Sequence, residues 1–129
     1  TDYAVEIFYE AIRRKAYTCF LEEDTVLPMM YMDDAINATI GVMQAPKNST
    51  YISYNLGAFS FSPKELALAI KKHIPDFKIS YKPDSRQQIA KTWPESVNDS
   101  QARNDWGWAA KTDLDQMVVT MLQGLHYTI

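Results

Sequence analysis

The sequence predicts an α/β fold in which a few short strands alternate with packed helices. Apolar residues recur every three to four positions in several segments, which is the period of a helix with one buried face. Between these segments lie short apolar or alternating runs that are typical of strands. With 129 residues, 47% of them hydrophobic, the chain is long enough for one domain with a modest core. The expected order is helix, strand, strand, helix, strand, helix, strand, helix, helix, helix.

The N-terminal segment is predicted to form a helix followed by two strands. The basic residues 13–15 suit a helix C-terminus, because the helix dipole stabilises positive charge there. Strands are expected at 17–21 and, after Pro28, at 29–32, with the acidic residues 22–24 in a solvated turn between them. The apolar face of the first helix is expected to comprise Val5, Phe8, Tyr9 and Ile12.

The second helix is predicted to begin at Asp33 or Asp34, since a carboxylate at the N-cap accepts hydrogen bonds from the first free amides of a helix. A strand is expected at 51–56, where Gly57 ends it. The apolar stripe of the second helix is expected to consist of Ile36, Ile40 and Met43.

The strongest helix start in the chain is Ser62-Pro63-Lys64-Glu65. It combines a serine cap, a proline at the first helical position and an acid in the first turn. Pro75 is expected to end this third helix. Its buried face is expected to consist of Leu66, Ile70 and Ile74.

The C-terminal third is predicted to be mostly helical. One strand is expected at 77–81, followed by a short helix within 85–92. A further helix is capped at 99–100 and ends at Gly107, and the last helix starts at Asp113. The apolar side of that last helix is expected to comprise Leu114, Met117, Val118, Met121 and Leu125.

Composition argues against two classes of partner. The net charge of −3 and the pI near 5.3 do not suit nucleic-acid binding, which needs clustered positive charge. No apolar run approaches the roughly 20 residues that span a membrane.

Cys19 is the single cysteine, so no internal disulfide is expected and the thiol is predicted to be buried. The chain begins with Thr1 rather than Met, so we expect further polypeptide upstream.

The sequence predicts no catalytic, cofactor-binding or metal-binding residue in this chain. A dinucleotide site needs a glycine-rich turn, whereas the four glycines are far apart. Short-chain dehydrogenases use a Tyr with a Lys four positions later, and no lysine here has a tyrosine at that distance. His73, His126 and Cys19 are too scattered in sequence to indicate a zinc site.

Several runs of residues carry a family resemblance. The most specific are Pro-Met-Met-Tyr-Met at 28–32 and Arg-Gln-x-Ile-Ala-x-x-Trp-Pro at 86–94, supported by the runs at 1–4 and 61–66. The Ser-x-Ala-Arg-x-x-x-Gly-Trp pattern at 100–108 is more widespread. Together they resemble the C-terminal part of the short-chain-type L-threonine dehydrogenases. These are relatives of UDP-galactose epimerase in the extended short-chain superfamily, which is of Rossmann type.

This resemblance implies an oxidoreductase that oxidises L-threonine at C3 to 2-amino-3-oxobutanoate and passes a hydride to NAD. An N-terminal Rossmann half, absent from this chain, would bind NAD and supply the catalytic Tyr, Lys and Ser. Residues 1–129 would form one C-terminal substrate-capping domain that is inactive by itself. The resemblance also implies a homodimer, located in the cytoplasm of a bacterium or in the mitochondria of a eukaryote.

Four residues are candidate contacts to threonine through the resemblance. Thr1 and Asp2 border the substrate in the family, where a hydroxyl and a carboxylate could hold the threonine hydroxyl and ammonium group, although both also suit a helix cap. Trp93 lies on a segment that folds over the site and would exclude water, or else it is a core aromatic. Arg86 stands where nucleotide-sugar relatives bind an anion, and a structural salt bridge is the alternative.

Two other functions stay open at this point. The chain could be a non-catalytic binding or interaction fragment, or part of an extended short-chain epimerase or dehydratase acting on a nucleotide sugar. If the chain is instead the C-terminal part of a threonine dehydrogenase, we expect exposed apolar surface where the Rossmann half would dock.

Overall fold

The computed structural model describes residues 2–46 and 53–129. Within these residues, six helices and four strands follow one another in the order that the sequence predicts. The strands form two separate two-stranded sheets. The predicted α/β fold class and the order of its elements are therefore confirmed.

The elements are short, and they are numbered here in chain order. The helices are α1 (Tyr3–Arg14), α2 (Met32–Gln44), α3 (Pro63–Lys71), α4 (Ser85–Ala90), α5 (Ser100–Trp106) and α6 (Leu114–Gly124). The strands are β1 (Ala16–Cys19), β2 (Leu27–Met29), β3 (Phe59–Phe61) and β4 (Lys78–Tyr81). In the first sheet β1 pairs with β4 in parallel, and in the second β2 pairs with β3 in antiparallel orientation.

Two strand predictions need correction. The described part of the predicted strand at 51–56 is not in a strand, and residues 51–52 lie outside the described residues. The strand is β3, where Phe61 lies opposite Leu27 and both are buried. The strand expected at 29–32 is β2, which ends at Met29. Pairing across the sheet decides these bounds, because strand propensity depends on cross-strand neighbours.

The main core lies where α1, β1, α3 and α6 meet. The predicted buried face of α3 is confirmed, and Cys19 is buried as predicted. The predicted face of α1 is only partly right, because Val5 and Tyr9 are exposed while Tyr3 and Ile7 join Phe8 in the core. The largest fully buried residues of this core include Ile7, Phe8, Leu66, Ile70, Ile74, Phe77, Val118 and Leu122.

The predicted caps of α3 and α6 are both present. The Glu65 amide donates to Ser62 Oγ at 3.3 Å, and the Ser62 amide donates to Glu65 Oε2 at 2.8 Å. Asp113 and Gln116 form the same reciprocal pair at the start of α6. Such boxes satisfy amides that the helix itself leaves unpaired.

The predicted cap of α2 is wrong, because the N-cap residue is Tyr31 and its side chain makes no capping bond. Asp33 and Asp34 instead lie in the first turn of the helix. The Asp34 side chain is buried and accepts hydrogen bonds from the amides of Lys111 at 3.1 Å and Thr112 at 2.9 Å. Asp34 therefore fastens the start of α2 to the segment that links α5 to α6.

A second, smaller core joins α2 to α5. Ala38, Ala102 and Trp108 are buried in it, and Trp106 packs against them. Gly41 makes room for this indole, since a β-carbon at position 41 would lie 2.5 Å from Trp106 Cζ3. A side chain at this position therefore requires the ring to move within an aromatic cluster.

We expect Gly41→Val to lower the free energy of unfolding by about 2 kcal/mol, because overpacking forces rings off their preferred positions. Urea denaturation of the protein measures this. The matched control is Gly124→Val, at the end of α6, where an added β-carbon would meet no atom within 4 Å; it should change stability by less than about 0.5 kcal/mol. Equal losses at the two positions would contradict the close approach.

Candidate functional site

Three of the four predicted contact residues line one open cleft beside α4. The cleft has a volume of about 450 Å³ and contains Asp2, Arg86 and Trp93. Its walls are mostly apolar and are formed by Tyr3, Phe20, Leu21, Leu27, Pro28, Met29, Ile89 and Ala90. The fourth predicted residue, Thr1, lies outside the described residues. The fold thus brings together polar groups that are more than 80 positions apart in sequence.

Asp2 stands at the entrance of α1. Its Oδ1 accepts a hydrogen bond from the Ala4 amide at 3.0 Å, so Asp2 caps the helix as the alternative interpretation holds. The side chain is exposed and at the same time lines the cleft. The cap fixes a negative charge at the cleft edge, where the helix dipole also favours it.

Arg86 is held in a salt bridge and lies over an aromatic ring. Its Nε donates to both carboxylate oxygens of Asp84, at 3.0 and 3.1 Å. Its guanidinium carbon lies 3.4 Å from the centroid of the Phe20 ring, in a cation–π contact. The hydrogen bond from Arg86 lowers the pKa of Asp84, and the same bond raises the pKa of Arg86. The structural salt bridge is therefore present, and it fixes a permanent cation in the cleft wall.

Trp93 is not a core aromatic, since the residue is 58% exposed. It follows α4 in a turn in which its amide donates to the Ala90 carbonyl at 3.1 Å. Together with Arg86, Ile89 and Ala90 it lines the cleft, because a spacing of three or four residues places side chains on one helical face. The indole also borders a second pocket of about 230 Å³ on the far side of α4.

Gln87 is a residue that the sequence reasoning did not single out. It is buried, and its Oε1 accepts from the Glu22 amide at 2.9 Å. The Thr25 hydroxyl lies 3.1 Å from Gln87 Oε1 and 2.9 Å from Nε2. A glutamine on a short polar helix carries no sequence signal for partners more than 60 residues away, so only the fold identifies this contact.

Tyr3 lies in the cleft wall with its hydroxyl buried and without a hydrogen-bond partner among the described residues. Its ring meets the Phe20 ring edge-on at 6.4 Å. Burial is the main cause that raises the pKa of the Tyr3 phenol, so the group stays neutral at physiological pH. Tyr3 thus lines the cleft wall as an uncharged side chain whose hydroxyl points away from solvent.

The glycines of this chain do not fit a dinucleotide cofactor. Gly41 packs inside α2, Gly57 faces the Val97 carbonyl and the Asp99 carboxylate, and Gly107 ends α5 with a φ of 74°. Gly124 lies at the end of α6. None stands in a turn from a strand into a helix, where backbone amides hold a pyrophosphate.

The described ranges contain neither a cluster of possible metal ligands nor a membrane-spanning helix. Within residues 2–46 and 53–129, no three His, Cys, Asp or Glu side chains are close enough to share a metal ion. In the same ranges, no helix combines the length and the apolar character that crossing a membrane requires.

The outer face of α2 is an exposed apolar stripe of four side chains. Met32, Ile36, Ile40 and Met43 are each between 46% and 79% exposed. Their spacing of four, four and three residues places them on one side of the helix. The sequence predicted Ile36, Ile40 and Met43 as the apolar stripe of this helix, but all three are exposed and the buried residues of α2 are Asp34 and Ala38.

The chain is similar to L-threonine 3-dehydrogenases. It is 49% identical over 124 residues to the mitochondrial L-threonine 3-dehydrogenase of Bos taurus, a match that covers 95% of this chain and 33% of the relative. The crystal structure of L-threonine dehydrogenase from Phytophthora infestans superposes with a TM-score of 0.94 at 52% identity, covering 98% of this chain and 42% of that one.

A third relative has a less specific description. An uncharacterised epimerase/dehydratase of Staphylococcus aureus is 46% identical over 98% of this chain and 40% of the relative. No protein-family model matches the sequence. The chain therefore spans about a third to two fifths of the length of the relatives it matches.

Proposed function

We propose that this chain is the C-terminal, substrate-capping domain of an L-threonine 3-dehydrogenase of the extended short-chain type. Its homologues and structural neighbours are enzymes of this kind. The complete protein oxidises L-threonine at C3 to 2-amino-3-oxobutanoate. NAD would supply the hydride acceptor, and polypeptide outside this chain would hold NAD together with the proton-abstracting Tyr. The chain itself binds the amino acid and excludes water from it.

The observation that carries this proposal is the meeting of Asp2, Arg86 and Trp93 at one cleft. A free amino acid presents an ammonium and a carboxylate close together, so a site for it needs one anionic and one cationic side chain. Asp2 provides the carboxylate and Arg86 provides the guanidinium, the group that best matches a carboxylate. Trp93 then covers the ligand, which strengthens both interactions by removing water.

Thr1 is proposed as a contact to the threonine hydroxyl through the resemblance alone. Homodimer formation, and a cytoplasmic or mitochondrial location according to the organism, likewise stay predictions about the complete protein.

The outer face of α2 supports the part of the proposal that concerns a missing half. A contiguous apolar surface on a protein commonly marks a site where another surface packs. The glycine positions support the same division, because the described fold offers no cradle for a dinucleotide. In the complete protein, the Rossmann half is proposed to cover Ile36 and Ile40.

The test is an assay of the complete reading frame. The purified protein is incubated with NAD and L-threonine, and NADH formation is followed by absorbance. We expect threonine-dependent reduction of NAD and no turnover of UDP-glucose or UDP-galactose. A reading frame without an upstream glycine-rich turn and Tyr-x-x-x-Lys favours a non-catalytic binding fragment, whereas turnover of a nucleotide sugar alone favours an epimerase or dehydratase.

The role of Trp93 has its own expected result in the complete protein. Trp93→Ala should raise KM for L-threonine about tenfold, since the indole supplies on the order of 1.4 kcal/mol through burial of the ligand. KM for NAD should stay unchanged. Trp93→Phe, which keeps an aromatic cover, should lie within about threefold of the unaltered enzyme. An unchanged KM for threonine in Trp93→Ala contradicts the covering role. So does Trp93 fluorescence that does not change when NAD and threonine are added.

A further inference from the structure

We propose that Gln87 is a positioning residue for the candidate site: it fastens α4 to the loop between β1 and β2 and thereby orients Trp93 over the cleft. The inference rests on the proposed function of the cleft. It concerns a residue that lies behind α4 and does not line the cleft itself.

The attachment of α4 to the rest of the domain is mainly polar. Gln87 is the one residue of α4 that is buried, while Ile89 on the cleft side is exposed. A helix of six residues is not stable by itself, because the free energy needed to nucleate a helix exceeds the stabilisation from so few backbone hydrogen bonds. The position of α4 therefore depends on the contacts that hold it, and apolar packing supplies few of them.

The first of these contacts fixes the start of α4. The Asp84 amide donates to the Phe20 carbonyl at 3.2 Å, and the Arg86 guanidinium lies over the Phe20 ring. A single attachment point leaves a short helix free to pivot about it, so this contact alone does not set the direction of the helix axis.

Gln87 provides the second point. Its amide group bonds both the Glu22 backbone and the Thr25 hydroxyl, and these bonds are directional because donor and acceptor must align. A buried amide whose oxygen and nitrogen both have hydrogen-bond partners favours one arrangement of its neighbours. The exposed pair of Lys91 and Glu22, at 3.3 Å, lies on the same side but adds little, since solvent screens it.

Trp93 is the residue most sensitive to this anchor. It lies beyond Gln87 along the chain, and the turn that carries it begins where the Lys91 amide donates to the Gln87 carbonyl at 3.0 Å. A rotation of α4 about its start therefore displaces Trp93 more than Arg86. The expected consequence is weaker binding of the ligand that Trp93 covers, with no effect on a ligand held elsewhere.

The experiment compares variants of the complete protein in steady-state kinetics. Gln87→Met keeps the length of the side chain and removes the amide group. We expect it to raise KM for L-threonine about tenfold, as expected when a buried donor loses its acceptor, with KM for NAD unchanged. Thr25→Val should raise KM less, and adding it to Gln87→Met should have no further effect because the shared contact is already lost.

Two controls separate positioning from general stability. Gln88→Met changes the exposed neighbour on the same helix and should leave every constant unchanged, and Thr25→Ser keeps the hydroxyl and should do the same. Hydrogen exchange gives the second readout. The Glu22, Lys91 and Trp93 amides should exchange faster in Gln87→Met, while the amides of α1 and α3 keep their protection.

The outcomes are distinct. An unchanged KM for threonine, a parallel rise of KM for NAD, or loss of protection throughout the domain overturns the positioning role. If Gln87→Met does not fold, the milder Thr25→Val decides by the same readouts. If the unaltered protein does not oxidise threonine, the proposed function fails. The inference about Gln87 is then decided by whether exchange rises selectively at Glu22, Lys91 and Trp93.

Discussion

Replacing Asp34 by alanine is expected to lower the free energy of unfolding by about 3 kcal/mol. The buried carboxylate accepts two backbone hydrogen bonds, from Lys111 and Thr112. Bonds to a charged group contribute about 1.5 to 3 kcal/mol each, and their loss leaves two amides without an acceptor. Urea denaturation followed by circular dichroism measures the change.

A matched control separates this role from the effect of charge at a helix start. Asp33 lies in the same first turn of α2 but is exposed, so Asp33→Ala loses only the interaction with the helix dipole, about 0.5 kcal/mol. Asp34→Asn retains one carbonyl acceptor and should fall between the two. Equal losses for Asp33→Ala and Asp34→Ala would show that the contacts to residues 111–112 are not what Asp34 contributes.

The parts of the fold that the sequence predicts are those set by neighbouring residues. The capping box at Ser62 and Glu65 needs only four consecutive positions, and the start of α6 at Asp113 is equally local. Helical periodicity likewise depends on neighbours a turn or two away. The order of the helices follows from these local signals, whereas the third strand lies at Phe59–Phe61 and not where the local pattern placed it.

The parts that the sequence misses depend on partners distant in the chain. Asp34 reads as a cap because a carboxylate near a helix start has that role locally, whereas its partners lie 77 and 78 positions later. Gln87 is overlooked for the same reason. The strand placed at 51–56 fails because β3 forms where Phe61 can pair with Leu27, which no window of adjacent residues reveals.

The candidate site divides in the same way. Family resemblance nominates Asp2, Arg86 and Trp93 one by one, and the fold then places all three at one cleft. Resemblance alone does not distinguish a salt bridge of Arg86 from a ligand contact. The structure adds that Asp84 already orients the Arg86 guanidinium. A carboxylate ligand can therefore bind it without the entropy cost of ordering the side chain first.

Periodicity identifies an apolar face but not the surface that covers it, and α2 illustrates the difference. The stripe of Met32, Ile36, Ile40 and Met43 has the spacing of a buried face and yet is exposed. We expect the pair of substitutions Ile36→Lys and Ile40→Lys to reduce activity of the complete protein at least about a hundredfold. Two ammonium groups placed in an apolar contact cost several kcal/mol.

The same substitutions should not disturb the structure of the chain alone, in which nothing covers the stripe. In the chain alone, Ile36→Lys with Ile40→Lys should leave the helical circular dichroism unchanged and reduce self-association, because charge replaces exposed apolar surface. Leu68→Lys, at an exposed apolar position on α3, is the matched control and should leave activity of the complete protein within about threefold. Full activity of the double variant would mean that the rest of the protein packs elsewhere, and the stripe would then need another partner.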